Sequence, residues 1–441
     1  MEQVEPAPNA VRVLILLFVI NLVNFFDRAI PSVVIEPIRK EWGLSDFELG
    51  LVTAAFTVVY ALAGLPLGRL ADTGSRKLII AWGLIVWSLL TGATGMAWSF
   101  VSFLVIRVGV GVGEAAYGPS AISLIGDLFP SNKRSSAMGI YMLGLPIGLI
   151  LAFFTVGRIV TVFGTWRAPF FIAMIPGVLF AILAFFIKEP LRGAAEATIS
   201  SKAPIDRPLR KLLRIPTIWW IILAGVGSNF AAYSANGFLV PLFQRYFELP
   251  LEKAAIATGI IVGMSGLIGL TLGGWVADKI HQTWERGRLL FGVACLTIAA
   301  AATWFALDQG RAEIGLFTAV FAIGWLLQYS FYTTVYPALQ DVVEPRLRST
   351  AMALYFACLY LLGGALGPVV VGALSDYYAK AAMLAANATE MNALFRAIGL
   401  HDSMYLIPAS LLITAVFMCC ASFTFSSDAV AMRRGMAATS T

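Results

Sequence analysis

An all-α membrane protein with twelve transmembrane helices in two pseudo-symmetric six-helix bundles is predicted by three features of this 441-residue sequence. The composition is 59% hydrophobic and only 13% charged, against about 25% charged residues in soluble domains. The apolar residues gather into twelve runs, each long enough for a bilayer span of roughly 20 residues. The two halves of the chain also repeat one another on either side of one long charged stretch.

Taken in order, the spans are predicted near 11–38, 47–70, 77–97, 99–128, 133–161 and 167–187, then 216–244, 253–278, 287–307, 312–338, 346–376 and 402–426. Residues 1–187 thus form an amino-terminal bundle and 216–427 a carboxy-terminal one. Residues 188–215, with Lys202, Arg207, Arg210, Lys211 and Arg214, read as a cytoplasmic linker. Residues 428–441 are polar and read as a disordered cytoplasmic tail. The segment 379–401 is too polar to span and reads as a short amphipathic helix on the outer surface. Assigning both termini and the even-numbered loops to the cytoplasm puts the excess of Lys and Arg there, as the positive-inside rule requires. The net charge of +6 is therefore a loop property and no sign of nucleic acid.

The repeat is specific. Gly68-Arg69-Leu70-Ala71-Asp72 after the second span is echoed by Gly274-Trp275-Val276-Ala277-Asp278 after the eighth. Asp127, Arg134, Ser135, Ala137, Met138 and Tyr141 after the fourth recur at the same spacing as Asp341, Arg348, Ser349, Ala351, Met352 and Tyr355 after the tenth. Internal symmetry of this kind marks a transporter built from two parallel halves with the substrate site between them. An enzyme is not indicated. No expected span contains a histidine, His281 and His401 are both expected in loops, and no H-E-x-x-H, G-x-S-x-G or phosphate-binding glycine loop occurs. Cys295, Cys358, Cys419 and Cys420 have no metal-ligand spacing. No metal or cofactor is expected beyond protons as coupling ion.

Charge at membrane depth carries the functional reading. Asp27 and Arg28 interrupt the first span, and Arg107 and Glu114 the fourth. Each costs roughly 2.5 to 3.5 kcal/mol on insertion scales, so an ionisable group there reads first as a coupling or substrate site. The alternative is a neutralising network that only fixes helices together. Asn21, Asn24 and Arg28 share one helical face, with Asp27 beside it. A low-dielectric cavity disfavours a charged carboxylate, as a proton carrier needs, and a nearby guanidinium acts the other way. Arg28 can serve as modulator or as anchor for an anionic headgroup. Arg107 and Glu114 lie two turns apart on one helix, too far to meet unaided. Glu114 is a second proton site, and Arg107 a partner for Asp27 or substrate. The second half offers neutral polar groups instead: Asn229, Tyr233 and Asn236 on the seventh span, and Gln328, Tyr332 and Tyr336 along one face of the tenth.

The loop Gly68-Arg69-Leu70-Ala71-Asp72-Thr73-Gly74-Ser75-Arg76-Lys77 resembles the signature between spans two and three of the major facilitator superfamily. Asn24-Phe25-Phe26-Asp27-Arg28 resembles the N-x-x-D-R of the Spinster family. Gly111-Val112-Gly113-Glu114-Ala115-Ala116-Tyr117, followed by Asp127-Leu128-Phe129, resembles that family's fourth-span motif. The resemblance implies two bundles rocking about a central cavity, and a bacterial protein of the inner (plasma) membrane acting as a monomer. It implies proton-coupled movement of lysophospholipids or sphingoid phosphates; a small organic anion such as a sugar acid is the alternative. It assigns Asp27, Arg28, Arg107 and Glu114 to proton coupling. Asn24, Tyr117, Asn229, Tyr233, Asn236, Gln328, Tyr332 and Tyr336 are expected to line the cavity. Gly68, Asp72, Arg76, Asp127, Arg134, Asp278, Asp341 and Arg348 are expected to form gating latches.

Overall fold

The computed structural model describes residues 9–190, 208–284, 286–344 and 347–439. Among them, twelve helices or helix runs are long and apolar enough to cross a membrane. These residues fall into two compact units that divide at 203/204, with 44–54 counted in the second unit rather than, as expected, with 1–187.

The first unit contains α1 (Ala10–Trp42), most of α2 (Asp46–Thr73), α3 (Arg76–Thr94), α4 (Phe100–Ala115), α5 (Tyr117–Leu128), α6 (Ser131–Met142), α7 (Gly144–Phe163) and α8 (Ala168–Phe185). The expected fourth span is α4 and α5 together, and the fifth is α6 and α7. A capping box between Ser99 and Ser102 starts α4, satisfying amide groups at the helix start. The core gathers Leu17 and Ile20 of α1, Leu84 and Trp87 of α3, and Tyr117 and Leu124 of α5. Lipid gives no hydrophobic drive between helices, so close packing of small residues takes over. On α7, Gly144 and Gly148 lie against the α1 backbone near Leu22, where an added Cβ would strike the chain.

The second unit contains a short α9 (Pro208–Leu212), α10 (Pro216–Arg245), α11 (Leu251–Gly259), α12 (Ser265–Thr283), α13 (Gly287–Leu307), α14 (Ile314–Asp341), α15 (Arg348–Cys358), α16 (Leu366–Ala385), α17 (Ala393–Ser403) and α18 (Leu406–Thr439). Two π-helical stretches, Ile260–Met264 and Leu359–Gly364, join α11 to α12 and α15 to α16. The glycine seam recurs here, with Gly363 and Gly367 against the α10 backbone at Val226 and Phe230.

The start of α2 also belongs to this unit. The Asp376 carboxylate accepts the Asp46 and Phe47 amides at 3.0 and 2.9 Å. The Asp46 carboxylate accepts from Arg245 at 2.8 Å and Ser375 at 2.6 Å. The free amides of a helix start attract a carboxylate for this reason.

Three expectations need correction. The carboxy-terminal tail is helical as far as Thr439, because α18 continues past the expected end at 426. Of the segment 379–401, the first residues extend α16, and only Ala393–Ser403 forms a separate helix. His281 and His401 lie in the last turns of α12 and α17, not in loops. Most of the expected linker, 191–207, lies outside the described residues.

Candidate functional site

The four charges predicted at membrane depth converge in the first unit. α1 brings Asp27 and Arg28, and α4 brings Arg107 and Glu114. Asp27 and Glu114 are buried, 0 and 1% exposed, and Arg107 is 2% exposed. The Arg28 side chain keeps 14% of its surface and donates from Nε to Glu114 Oε2 at 2.5 Å. Glu114 is thus tied to α1, two turns from Arg107 on its own helix. The expected Asp27–Arg107 pairing takes another form: Arg107 Nε and Nη1 have no hydrogen-bond partner. Arg107 acts on Asp27 and Glu114 only through space.

Aromatic rings pack over both guanidinium groups. Arg28 lies 4.3 Å from the Tyr60 ring centroid, 5.2 Å from Phe25 and 5.3 Å from Phe56. Phe56 also faces Arg107 at 5.2 Å. Contacts of this type are worth about 0.5–1 kcal/mol when exposed and about 2 kcal/mol or more when desolvated. Thr91 of α3, which sequence reasoning missed, donates to Asp27 Oδ2 at 3.5 Å, the limit of a hydrogen bond. Asn24 Nδ2 and Glu114 Oε1 are buried without protein hydrogen bonds, and buried Asp27 Oδ1 and Trp87 Nε1 make no well-formed one although the Trp87 side chain lies beside Asp27. Orphaned polar groups cost about 1–3 kcal/mol each, and buried ones in native proteins call for an explanation such as function.

Of the residues expected to line a cavity, Tyr117 is core. It is 2% exposed, stacks edge-on against Trp87 at 5.7 Å and donates to the Leu17 carbonyl at 2.5 Å. Its place at the start of α5 turns the ring inward, so the reading from the motif is corrected.

In the second unit, Asn229 donates to the Gly225 carbonyl of its own helix at 3.3 Å. Gln328 is fully buried and donates to Ser228 at 3.1 Å, leaving its Oε1 without a partner. Asn236 Oδ1 is likewise buried and unpaired. Tyr332 and Tyr336 pack at 5.8 Å, and Tyr336 meets Tyr355 and Phe356 at 5.9 and 5.7 Å. Tyr233 meets Tyr360, from the second π-helical stretch, at 6.2 Å. The second unit therefore presents aromatic surface with a few amides where the first presents charge.

Of the expected gating residues, Arg76 and Asp127 join one arginine-centred cluster in the first unit, and Asp278 and Asp341 join another in the second. Arg76, 1% exposed, pairs with Asp127, donates to Glu189 Oε1 at 2.9 Å and Ser123 Oγ at 3.0 Å, and reaches the Pro190 carbonyl at 3.1 Å. In the second unit Arg288 pairs with Asp278 at 3.3 Å and Asp341 at 3.1 Å. Arg288 and Glu189 were both missed from sequence. Arg348 instead donates to the Gln340 carbonyl at 3.1 Å. Gly68 lies in ordinary contact with Pro119, a Cβ there falling 3.9 Å away. The side chains of Asp72 and Arg134 lie outside the described residues.

Comparison with known proteins matches this architecture. The family model of the Major Facilitator Superfamily matches residues 17–368. Protein spinster homolog 1 of Xenopus laevis is 30% identical over 401 residues, covering 84% of this chain and 74% of that protein. The hexuronate transporter of Bacillus subtilis is 28% identical over 379 residues, covering 82% and 87%. The crystal structure of a bacterial homologue to the human lysosomal transporter Spinster, inward-facing and unoccupied, superposes with a TM-score of 0.84 at 28% identity, covering 96% of this chain and 99% of that one. With its twelve spans, its repeated halves and its buried charge cluster, the chain belongs to the Major Facilitator Superfamily of membrane transporters and, within it, to the Spinster family.

Proposed function

We propose that the protein is a proton-coupled secondary active transporter, working by alternating access, whose cargo is an amphipathic anion of the lysophospholipid or sphingoid-phosphate kind. The observation that carries this reading is the buried group of Asp27, Arg28, Arg107 and Glu114. Asp27 and Glu114 each keep a carboxylate oxygen without a well-formed protein hydrogen bond, so each has an atom to accept a proton. Protonation of Glu114 weakens its hold on Arg28. The released guanidinium fork can then bind a phosphate bidentately. The aromatic surface of Tyr332, Tyr336 and Phe356, backed by buried Tyr355, suits an apolar tail. In this reading the coupling ion is the proton and no other cofactor takes part. The protein works as a monomer in the inner membrane, and both termini face the cytoplasm.

A second reading, a small organic anion such as a sugar acid as cargo, is favoured by the likeness to a hexuronate transporter. Proteoliposomes with an imposed proton gradient separate the two. Wild type and Asp27→Asn are compared with a fluorescent lysophospholipid and with a hexuronate. Gradient-driven lipid movement that Asp27→Asn abolishes is the expected result. Uptake of the hexuronate alone overturns the lipid cargo. Lipid movement that survives Asp27→Asn with its gradient dependence intact moves coupling to Glu114.

A further inference from the structure

Outside the charge cluster, the first unit carries an apolar groove of about 330 Å³ along the outside of α2, α3 and α4. Leu70, Leu78, Trp82 and Val112 form its walls, and each is 42 to 58% exposed. Gly83 and Gly113 form its floor. A Cβ on Gly83 would lie 3.1 Å from the Gly113 carbonyl oxygen, and one on Gly113 would lie 3.0 Å from Trp87. The depth of the groove thus comes from two helices in near backbone contact, and its lining is apolar throughout.

Basic residues adjoin the lining of the groove in sequence. Arg69 immediately precedes Leu70 in the last turns of α2, and Lys77 immediately precedes Leu78 in the first turn of α3. Both basic residues therefore lie at the end of the groove where α2 passes into α3. Glu189, bonded to Ser75 and Arg76, brings Lys188 to the same end. Arg69 and Lys188 are exposed and Lys77 is partly so. None of the three forms an ion pair among the described residues, whereas the nearby Asp127 and Glu189 carboxylates are both engaged by buried Arg76. Among the described side chains at this end, positive charge is in excess.

We propose that this groove binds a membrane phospholipid of anionic headgroup, with one acyl chain between α2, α3 and α4 and the phosphate on Arg69 and Lys77. Basic residues at the end of a crevice between transmembrane helices are the chemistry that holds anionic lipid headgroups. Snorkelling side chains can reach the headgroup level from the helix ends. The site is separate from the cargo reading and does not depend on it.

The test uses full-length protein in phosphatidylcholine nanodiscs doped with phosphatidylglycerol, with retained lipid counted by native mass spectrometry. Wild type is expected to retain one phosphatidylglycerol in preference to phosphatidylcholine. Removing each basic residue should weaken that preference about fivefold, so Arg69→Gln with Lys77→Gln should nearly abolish it. Arg69→Lys with Lys77→Arg keeps the charge and should keep the preference, which separates charge from misfolding. Val112→Trp fills the groove and should lose the retained lipid with the basic residues intact. No preference in wild type overturns the proposal. So does a preference that survives the Gln pair, one that disappears with the charge-preserving pair, or a retained lipid in Val112→Trp.

Discussion

Arg76 shows what one side chain does in this fold. Its guanidinium is buried at 1% exposure, and all three nitrogens are used, on Asp127, Glu189, Ser123 and the Pro190 carbonyl. A lysine has one nitrogen and no planar fork, so Arg76→Lys cannot repeat this pattern. Removing one partner of a buried ion pair costs about 3–5 kcal/mol. Asp127 and Glu189 keep 16 and 20% of their side-chain surface, so water recovers part of the loss and the low end of that range is expected. Thermal unfolding in detergent checks it, with an unchanged midpoint as the contrary result.

Glu189 adds a pH dependence. Partial burial raises its carboxyl, but hydrogen bonds from Ser75 and Arg76 outweigh this and hold it below the ordinary glutamate value. A depressed acid stabilises the fold above its unfolded value, near 4.3, and loses that contribution as pH falls through the folded value. Wild type should therefore lose thermal stability more steeply than Glu189→Gln on acidification below about pH 4.3. Parallel curves for the two proteins would show that Glu189 makes no such contribution.

At the scale of elements, the glycine seams decide how closely helices pack. A Cβ at Gly148 would fall on the Leu22 carbonyl and near Phe25, backbone and stem atoms that cannot swing aside. Gly148→Ala should push α7 from α1 and cost about 1–3 kcal/mol as overpacking. Gly139, exposed on α6 with nothing within 4 Å of an added Cβ, is the control. Gly139→Ala should gain up to about 1 kcal/mol from helix propensity alone. Equal shifts for the two variants would remove steric contact as the cause.

Elements were the most legible part of the sequence, because apolar length and composition alone define a span. The contacts between them were less so. Arg28 could be named as a modulator, but its partner Glu114 lies 86 positions away and only tertiary packing joins them. Arg288 was missed for a plainer reason. In the first half Arg76 follows Asp72 by four positions, while in the second Arg288 follows Asp278 by ten, so the repeat loses register there. The signal that remained was position: Arg76 opens α3 and Arg288 is the second residue of α13. Tyr117 erred the other way, since a motif names a residue without saying which way its helix face turns.

For the molecule as a whole, the division of chemistry between the units makes the cargo question measurable. The cluster of Asp27, Arg28, Arg107 and Glu114 belongs to the first unit, and the rings of Tyr332, Tyr336, Tyr355 and Phe356 belong to the second. If the first unit reads a headgroup and the second a tail, the two parts of a ligand should respond to different mutations. Competition by lysophospholipids of one headgroup and increasing chain length tests this. Each buried CH2 contributes at most about 0.8 kcal/mol, so inhibition should strengthen stepwise with length until the tail outgrows the aromatic surface. Tyr336→Ala removes a ring that packs on three neighbours and should flatten the length dependence while leaving headgroup discrimination in place. Arg28→Gln should do the reverse, removing the preference for a phosphate while the slope with length persists. A sugar-acid carrier has no tail to read. An inhibition series flat with chain length in wild type would therefore remove the lipid reading and leave the small anion.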